Sequence, residues 1–225
     1  MANDREELPR GRMKRRPPEF YRGQSFVHWS MTIAGRRSGW LTDAFHASFR
    51  EIHLHALSRH DLFCPVYCLM PDHLHLLWLG LGPASDQDKA AAFFRRHVNA
   101  ALKSVGVEFQ KQPWDVVLGE KDRERGAVLK TVFYIAENPV RAGLVREARA
   151  WPFSGSQAAG YPQFDWREPD YSEKVWKIYE AEVCRRSPHE HAVEFVKIPG
   201  RIGAESVPPK ADPPLAETIP APAGW

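Results

Sequence analysis

The chain has 225 residues and a net charge of only +3, with 43% hydrophobic and 26% charged residues. This balance excludes global disorder, and the length allows one domain with appendages or two small domains. No apolar run approaches the roughly 20 residues of a membrane helix, and the charged N-terminus lacks the apolar segment of a secretory signal. Three cysteines do not make a disulfide framework. We therefore expect a cytoplasmic protein that has no membrane partner.

Composition divides the chain into four parts. Residues 1–22 form a basic arm that we expect to be mostly irregular. Its basic side chains include Arg12, Lys14, Arg15 and Arg16. The central domain is expected at 23–157, followed by a partly helical extension at 158–198. The tail at 199–225 is rich in proline and alanine, a composition that favours disorder.

Hydrophobic periodicity predicts the element order β-α-β-β-α-β-α. The strands are expected at 24–34, 62–70, 73–81 and 114–118, and the helices at 41–59, 86–105 and 127–137. A tight turn at Pro71-Asp72 joins the second and third strands into a hairpin, so the sheet is at least partly antiparallel. Pro65 within the second strand predicts an edge position or a β-bulge. This order is an α+β, ferredoxin-like (RRM-like) pattern with a further helix after the fourth strand.

His73 and His75 form the first candidate site. Side chains alternate between the two faces of a strand, so both imidazoles project from one face while Leu74 and Leu76 point into a core. Two imidazoles can hold one metal ion and leave coordination positions open for a third ligand, water and substrate. The alternative is a pair of half-buried histidines that are satisfied by hydrogen bonds.

The helix at 127–137 carries the second candidate site. Lys130, Tyr134 and Asn138 follow at intervals of four residues and make a polar stripe. The apolar side is formed by Val128, Leu129, Val132, Phe133 and Ile135. Tyr134 therefore lies away from the apolar side, which suits a nucleophile or a binding group, although surface tyrosines are also common. Asn138 is either the N-cap of a short helix that starts at Pro139 or a ligand that completes a metal shell.

Two further groups of potential metal ligands are present. Cys64 and Cys68 precede the histidine pair, so a zinc site is an alternative, but on a regular strand the two thiols are about 13 Å apart, which favours buried free thiols. His46, His53 and His60 recur every seven residues on the first helix. At about 10 Å per step they are too far apart for one ion, which favours a solvated stripe.

Both motifs together resemble a known family. The segment MPDHLHLL at 70–77 is followed by YIAENPVRAGLV at 134–145 and WPFSGS at 151–156. In this order, the segments resemble the REP-associated tyrosine transposases, which belong to the HUH-type, insertion-sequence-200-like single-strand DNA transposases. The resemblance covers roughly residues 20–157. Asp72 stands where asparagine is more usual in that family.

The resemblance implies a function and a role for each motif residue. It makes His73, His75 and Asn138 ligands of Mg²⁺ or Mn²⁺, and Tyr134 the nucleophile. The family cleaves single-stranded DNA, forms a 5′-phosphotyrosine link and frees a 3′-hydroxyl, and members of this subgroup act on palindromic repeats that fold into hairpins. The protein would act as a monomer or as a homodimer.

Basic and aromatic side chains are candidates for holding the DNA. On the helices these are Arg95, Arg96, Lys103 and Lys130, which would act together with the basic arm. Trp29, Trp40 or Trp114 could stack on bases. The alternative is a host-retained, non-catalytic DNA-binding protein that has the same fold.

Overall fold

A computed structural model of the chain describes residues 15–186. The strands are β1 (Phe26–Thr32), β2 (Leu62–Leu69), β3 (His73–Gly80), β4 (Trp114–Val117) and β5 (Ser154–Gln157). The helices are α1 (Asp43–Arg59), α2 (Gln87–Leu102), α3 (Arg125–Ala136), α4 (Asn138–Arg141) and α5 (Tyr171–Arg186). Arg12, Lys14 and the predicted disordered tail lie outside the described residues.

The sheet has the strand order β4-β1-β3-β2-β5, and every neighbouring pair is antiparallel. The first four of these positions are the order of a ferredoxin-like sheet, so the predicted α+β fold class is confirmed. β5 was not predicted. It pairs with the free edge of β2 and thereby covers backbone groups that would otherwise be unpaired.

Helices cover both faces of the sheet, and each face has its own core. α1 and α2 pack against one face around Trp29, Phe49, Trp78 and Phe94. α3 and α5 pack against the other face, where the core includes Phe63, Leu77, Leu79, Val132 and Tyr179. The alternation of β3 explains this division, because Leu74, Leu76 and Trp78 face the first core. His73 and His75 therefore face the layer of α3.

The helices begin where the sequence offers caps. Thr42 Oγ1 accepts a hydrogen bond from the Phe45 backbone N–H at 3.2 Å, and Asp86 Oδ1 accepts one from the Lys89 N–H at 3.0 Å. Each bond satisfies a backbone donor that has no partner within the first turn of its helix. These N-cap bonds thus set the residues at which α1 and α2 begin.

A β-bulge interrupts β2 at Pro65. The pairing register shifts between Phe63 and Val66, as expected for a proline inside a central strand. The bulge also places Cys64 in the first core and Cys68 in the second, on opposite faces of the sheet. The two thiols are buried and unpaired, and burial raises the pKa of Cys68 to about 12. Thiols on opposite faces cannot share one zinc ion.

His53 contradicts the expectation of a solvated histidine stripe on α1. Its side chain is fully buried. The Trp78 indole N–H donates to His53 Nε2 at 2.8 Å, and His53 Nδ1 lies 2.6 Å from Gln157 Oε1. Burial lowers the pKa of His53 to about 3, so the ring is neutral. The seven-residue spacing reflects the packed face of α1 rather than a solvated one.

The segment after β5 belongs to the second core. Tyr171 OH donates to the Pro65 carbonyl oxygen at 2.8 Å, and Tyr179 OH donates to the Gly80 carbonyl oxygen at 3.0 Å. Both tyrosines lie on α5, which covers the sheet beside α3. Within residues 15–186, no helix is long and apolar enough to cross a bilayer.

Candidate active site

The two predicted ligand histidines meet on the α3 face of β3. Their rings stand nearly perpendicular, and His73 Nε2 lies 3.0 Å from His75 Nε2. His75 is buried, with 1% exposure, whereas His73 is partly exposed at the start of the strand. The pair therefore has one side toward the core and one side toward solvent.

Each imidazole has a polar partner at its other ring nitrogen. His73 Nδ1 lies 2.6 Å from Asp72 Oδ1, and His75 Nδ1 lies 3.1 Å from His28 Nε2. Because a carboxylate only accepts hydrogen bonds, His73 carries its proton on Nδ1. If His75 likewise donates from Nδ1 to His28, both Nε2 atoms present lone pairs to each other. Two lone pairs at this separation repel unless a cation or a proton lies between them.

The donor set fits a divalent ion. Adjacent ligands of an octahedral ion with bonds of about 2.1 Å are about 3.0 Å apart, which is the separation of the two Nε2 atoms. The carboxylate behind His73 is the usual outer partner of a metal-binding histidine. Among residues 15–186, no three His, Cys, Asp or Glu side chains form a metal-binding group. The ligand predicted to complete the shell, Asn138, is of another type, an amide oxygen.

The surroundings of the pair favour a neutral His75 and an ionised Asp72. Burial, followed by the charges of His28, His73 and Arg141, lowers the pKa of His75 well below its usual value. At Asp72, burial acts to raise the pKa, but the hydrogen bonds and charges of His73 and Arg36 outweigh it and lower the pKa. Arg36 Nη1 holds Asp72 Oδ2 at 2.9 Å. The carboxylate is thus fixed from both sides in its ionised form.

Arg141 contacts both the nucleophile candidate and Asn138. Its guanidinium carbon lies 4.1 Å from the centre of the Tyr134 ring, a cation–π contact. Its Nη1 donates to the Tyr134 carbonyl oxygen at 2.9 Å, and its Nη2 donates to Asn138 Oδ1 at 2.7 Å. The same charge acts on His75. Tyr134, Asn138 and Arg141 therefore form one cluster, whose positive charge acts on His75.

The structure rejects the N-cap interpretation of Asn138. Asn138 is itself the first residue of α4, and no side-chain cap bond forms at that terminus. Its Nδ2 donates backward to the Ile135 carbonyl oxygen at 3.0 Å, while Oδ1 accepts from Arg141. Asn138 is buried, and its Oδ1 retains a second lone pair. Its role as a third metal ligand stays a prediction.

The faces of α3 differ in part from the expected pattern. Phe133, expected on the apolar side, is 43% exposed. Tyr134 is partly buried and packs against the second core. The Tyr134 ring therefore lies at the edge of the second core, beside Arg141, rather than on a fully polar face of α3.

Three of the six described basic candidates lie on α2 or directly after it, on the other side of the sheet. Arg95 donates to the carbonyl oxygens of Gln110 and Lys111, which holds the loop before β4. Arg96 lies over the Phe93 ring, and Lys103 follows the end of α2. The structure does not bring these three together with His73 and His75, and their part in DNA binding stays a prediction.

The other basic candidates have different positions. Arg15 pairs with Asp88 Oδ1 at 2.7 Å and with Asp115 Oδ1 at 3.4 Å. Arg16 lies over the Phe20 ring. Lys130 is exposed on α3, one helical turn before Tyr134, and of the described basic candidates it alone shares a helix with the tyrosine.

The predicted stacking tryptophans divide by exposure. Trp29 and Trp40 are buried at 0% and 1% exposure, so neither can stack on a base. Trp114 is 36% exposed.

Two residues of the candidate site, Arg141 and His28, were not predicted from the sequence. The spacing of Arg141, seven and three residues after Tyr134 and Asn138, indicates a shared helical face and could have identified it. His28 depends on strand register, which the sequence does not reveal.

Comparisons with known proteins support the fold. No known family model and no curated protein matches the chain. Among solved structures, the chain is similar to a REP-associated tyrosine transposase bound to a REP hairpin, with a TM-score of 0.53 and 21% identity over 64% of this chain and 82% of that one. A transposase candidate from Deinococcus radiodurans gives a TM-score of 0.35 at 15% identity, over 54% of this chain and 97% of that one. The first similarity shows a shared fold.

Proposed function

We propose that the protein is a metal-dependent tyrosine transposase that cleaves and rejoins single-stranded DNA. The observation that carries the proposal is the facing of His73 Nε2 and His75 Nε2 at 3.0 Å, on the face of β3 against which α3, the helix of Tyr134, packs. The order of the two motifs and the fold of the hairpin-bound transposase support the same activity. We infer that the substrate is DNA that folds into a palindromic hairpin.

His73 and His75, with Asn138, would hold Mg²⁺ or Mn²⁺, which when bound would polarise the scissile phosphate and stabilise the charge that grows on its oxygens. Tyr134 would lose its phenolic proton to solvent and attack the phosphorus. The new bond joins the tyrosine oxygen to phosphorus, and the bond to the 3′ oxygen breaks. That oxygen takes a proton and becomes a 3′-hydroxyl. Attack by a 3′-hydroxyl on the phosphotyrosine reverses these bonds, so joining needs no ATP.

Arg141 has a positioning role in this proposal. It fixes the backbone of Tyr134 and the amide of Asn138 with two N–H groups of one planar guanidinium. Its positive charge also acts on His75. The phenol and the amide would thus approach the phosphate from a preset geometry.

A covalent-adduct assay tests the proposal. Single-stranded hairpin DNA from the sequence that flanks the gene, labelled at the 5′ or the 3′ end, is incubated with Mn²⁺ and run on a denaturing gel. We expect a shifted protein band that carries the 3′-labelled fragment. The band should be absent with Tyr134→Phe and with EDTA. Binding of the hairpin without any band would favour the non-catalytic DNA-binding protein instead.

A further inference from the structure

We infer that Trp114 forms a stacking subsite for an unpaired DNA base next to the candidate active site. The inference rests on the proposed function, because it assigns part of the DNA path. It starts from register: Ser30 of β1 pairs with His75 of β3 on one side and with Trp114 of β4 on the other. Directly paired residues of neighbouring strands point to the same face. Trp114, Ser30 and His75 therefore form one row across the α3 face of the sheet.

The row places the indole close to the histidine pair. Two strand spacings separate β4 from β3, about 10 Å between backbones, which a single strand spans in a few nucleotides. The Trp114 ring meets the His28 ring edge to face, with centroids 5.8 Å apart. His28 in turn contacts His75. A base on Trp114 would thus be a near neighbour of a phosphate held at His73 and His75.

This part of the sheet face is open. α3 packs on β2 and β3, and among the described residues the second core has no member from β4. Trp114 and Val116 on this face are 36% and 39% exposed. Ser30, whose small side chain is half-buried, stands between Trp114 and His75 in this row, and the His28 ring lies beside it. The row of Trp114, Ser30 and His75 is therefore a shallow surface groove with an indole ring at one end.

The chemistry of this groove suits an unpaired base. An indole offers a flat apolar face to the ring of any base, so stacking is tolerant of sequence. A base within a duplex has both faces covered by its neighbours, which makes single-stranded DNA the matching ligand. On the opposite face of β4, Asp115 accepts a hydrogen bond from Tyr21 OH at 2.5 Å, which anchors the strand that carries Trp114. The stacking platform is therefore held in place before DNA binds.

The test compares binding of two ligands of equal length and charge: oligo-dT and the same backbone with abasic residues. Binding is measured in the Tyr134→Phe background, so no adduct forms. We expect Trp114→Ala to weaken oligo-dT binding about fivefold to 150-fold, the range for one aromatic stack, and to leave binding of the abasic backbone unchanged. Trp114→Phe should keep most of the affinity. Leu54→Ala, on α1 at a similar 39% exposure, is the matched control and should change neither.

A second measurement locates the base. Single abasic residues are placed at successive positions around the cleavage site of the flanking hairpin strand. In the Tyr134→Phe protein, one position should show a large loss of affinity, and in Tyr134→Phe/Trp114→Ala that position alone should lose its effect. If the abasic profile is the same in both proteins while the adduct assay succeeds, this inference is wrong and the proposed function stands. If neither protein binds any single strand, the proposed function fails as well.

Measuring the oligomeric state distinguishes base stacking from the other possible role of Trp114, a contact between two copies of the chain. β4 lies at an edge of the sheet, and an exposed tryptophan there could instead face a second copy of the chain. Sedimentation of the DNA-free protein should be identical for wild type and Trp114→Ala. A shift from dimer to monomer in the variant would overturn the base-stacking assignment.

Discussion

Asp72 illustrates how one residue outside the histidine pair orients it. Its carboxylate holds His73 Nδ1 at 2.6 Å and is itself held by Arg36, so the imidazole presents Nε2 toward His75. Outer partners of this kind typically contribute about 10-fold to 100-fold to metal affinity. We therefore expect Asp72→Ala to weaken Mn²⁺ binding by this factor, as measured by electron paramagnetic resonance titration. Asp72→Asn keeps an acceptor oxygen without the charge and should lose less.

The control for Asp72 is another aspartate in a surface ion pair. Asp170 lies 3.6 Å from Lys174 Nζ, at the start of α5 and away from the histidines. Asp170→Ala should leave Mn²⁺ affinity unchanged. Equal loss in Asp72→Ala and Asp170→Ala would mean that charge alone, rather than the hydrogen bond to His73, sets the affinity.

Replacing Arg141 should affect the positioning of Tyr134 and Asn138 more than the binding of DNA. With Arg141→Ala, we expect single-turnover adduct formation to slow about 10-fold to 100-fold, because Tyr134 and Asn138 lose their common anchor. Hairpin affinity should change less than adduct formation. Arg141→Lys retains the charge but cannot reproduce the two N–H bonds of the planar fork, so it should rescue the rate only in part.

Two measurements check the Arg141 prediction. Arg146→Ala removes another exposed arginine, five residues beyond α4, and should leave the rate as in wild type. Thermal melting shows whether the cluster has merely unfolded. A rate in Arg141→Lys equal to wild type would indicate that only the charge matters, and the positioning role would be incorrect.

At the scale of elements, local patterns predicted the first four strands and the first three helices because each has a clear apolar period or cap. β5 escaped prediction because SGSQ has neither alternation nor β-branched residues. It is a strand because β2 offers it an unpaired edge and because Gly155 fits over the Tyr67 hydroxyl. The motifs were enough to name His73, His75 and Tyr134 as candidates, and the structure places the two histidines side by side. The contact of His28 with His75 depends on packing between strands distant in sequence, whereas the three-residue spacing of Asn138 and Arg141 could have indicated theirs.

The end of β3 shows the same dependence on close packing. A Cβ added at Gly80 would lie 1.9 Å from the Gly23 carbonyl oxygen, so backbone rather than a flexible side chain would have to move. We expect Gly80→Ala to lower the free energy of unfolding by about 2 kcal/mol or more, measured by urea denaturation. Gly126, in the first turn of α3, has no atom within 4 Å of such a Cβ. Gly126→Ala should be neutral or stabilise by about 0.5 kcal/mol. Equal effects of the two would contradict the packing of β3 against the Gly23 turn.

At the scale of the whole molecule, a buried polar chain ties three elements together. His53 of α1 accepts from Trp78 of β3 and contacts Gln157 of β5, so helix, central strand and edge strand share one set of hydrogen bonds. Because polar groups inside a core must be satisfied, the chain fixes how these elements are arranged as well as how tightly they pack. Its central histidine also makes the stability of the fold depend on pH.

Burial lowers the pKa of His53 to about 3 in the folded protein, whereas in the unfolded chain it is about 6.5. Between these values the unfolded state binds the extra proton, so His53 contributes its full stability above pH 6.5 and loses it progressively as the pH falls. From pH 7 to pH 5, we expect this residue alone to reduce the free energy of unfolding by about 2 kcal/mol. His53→Gln retains an acceptor for Trp78 but does not titrate, so urea denaturation should show a shallower decline for this variant. Parallel curves for wild type and variant would mean that His53 is not neutral in the fold, and that the chain from Trp78 to Gln157 is not formed as described.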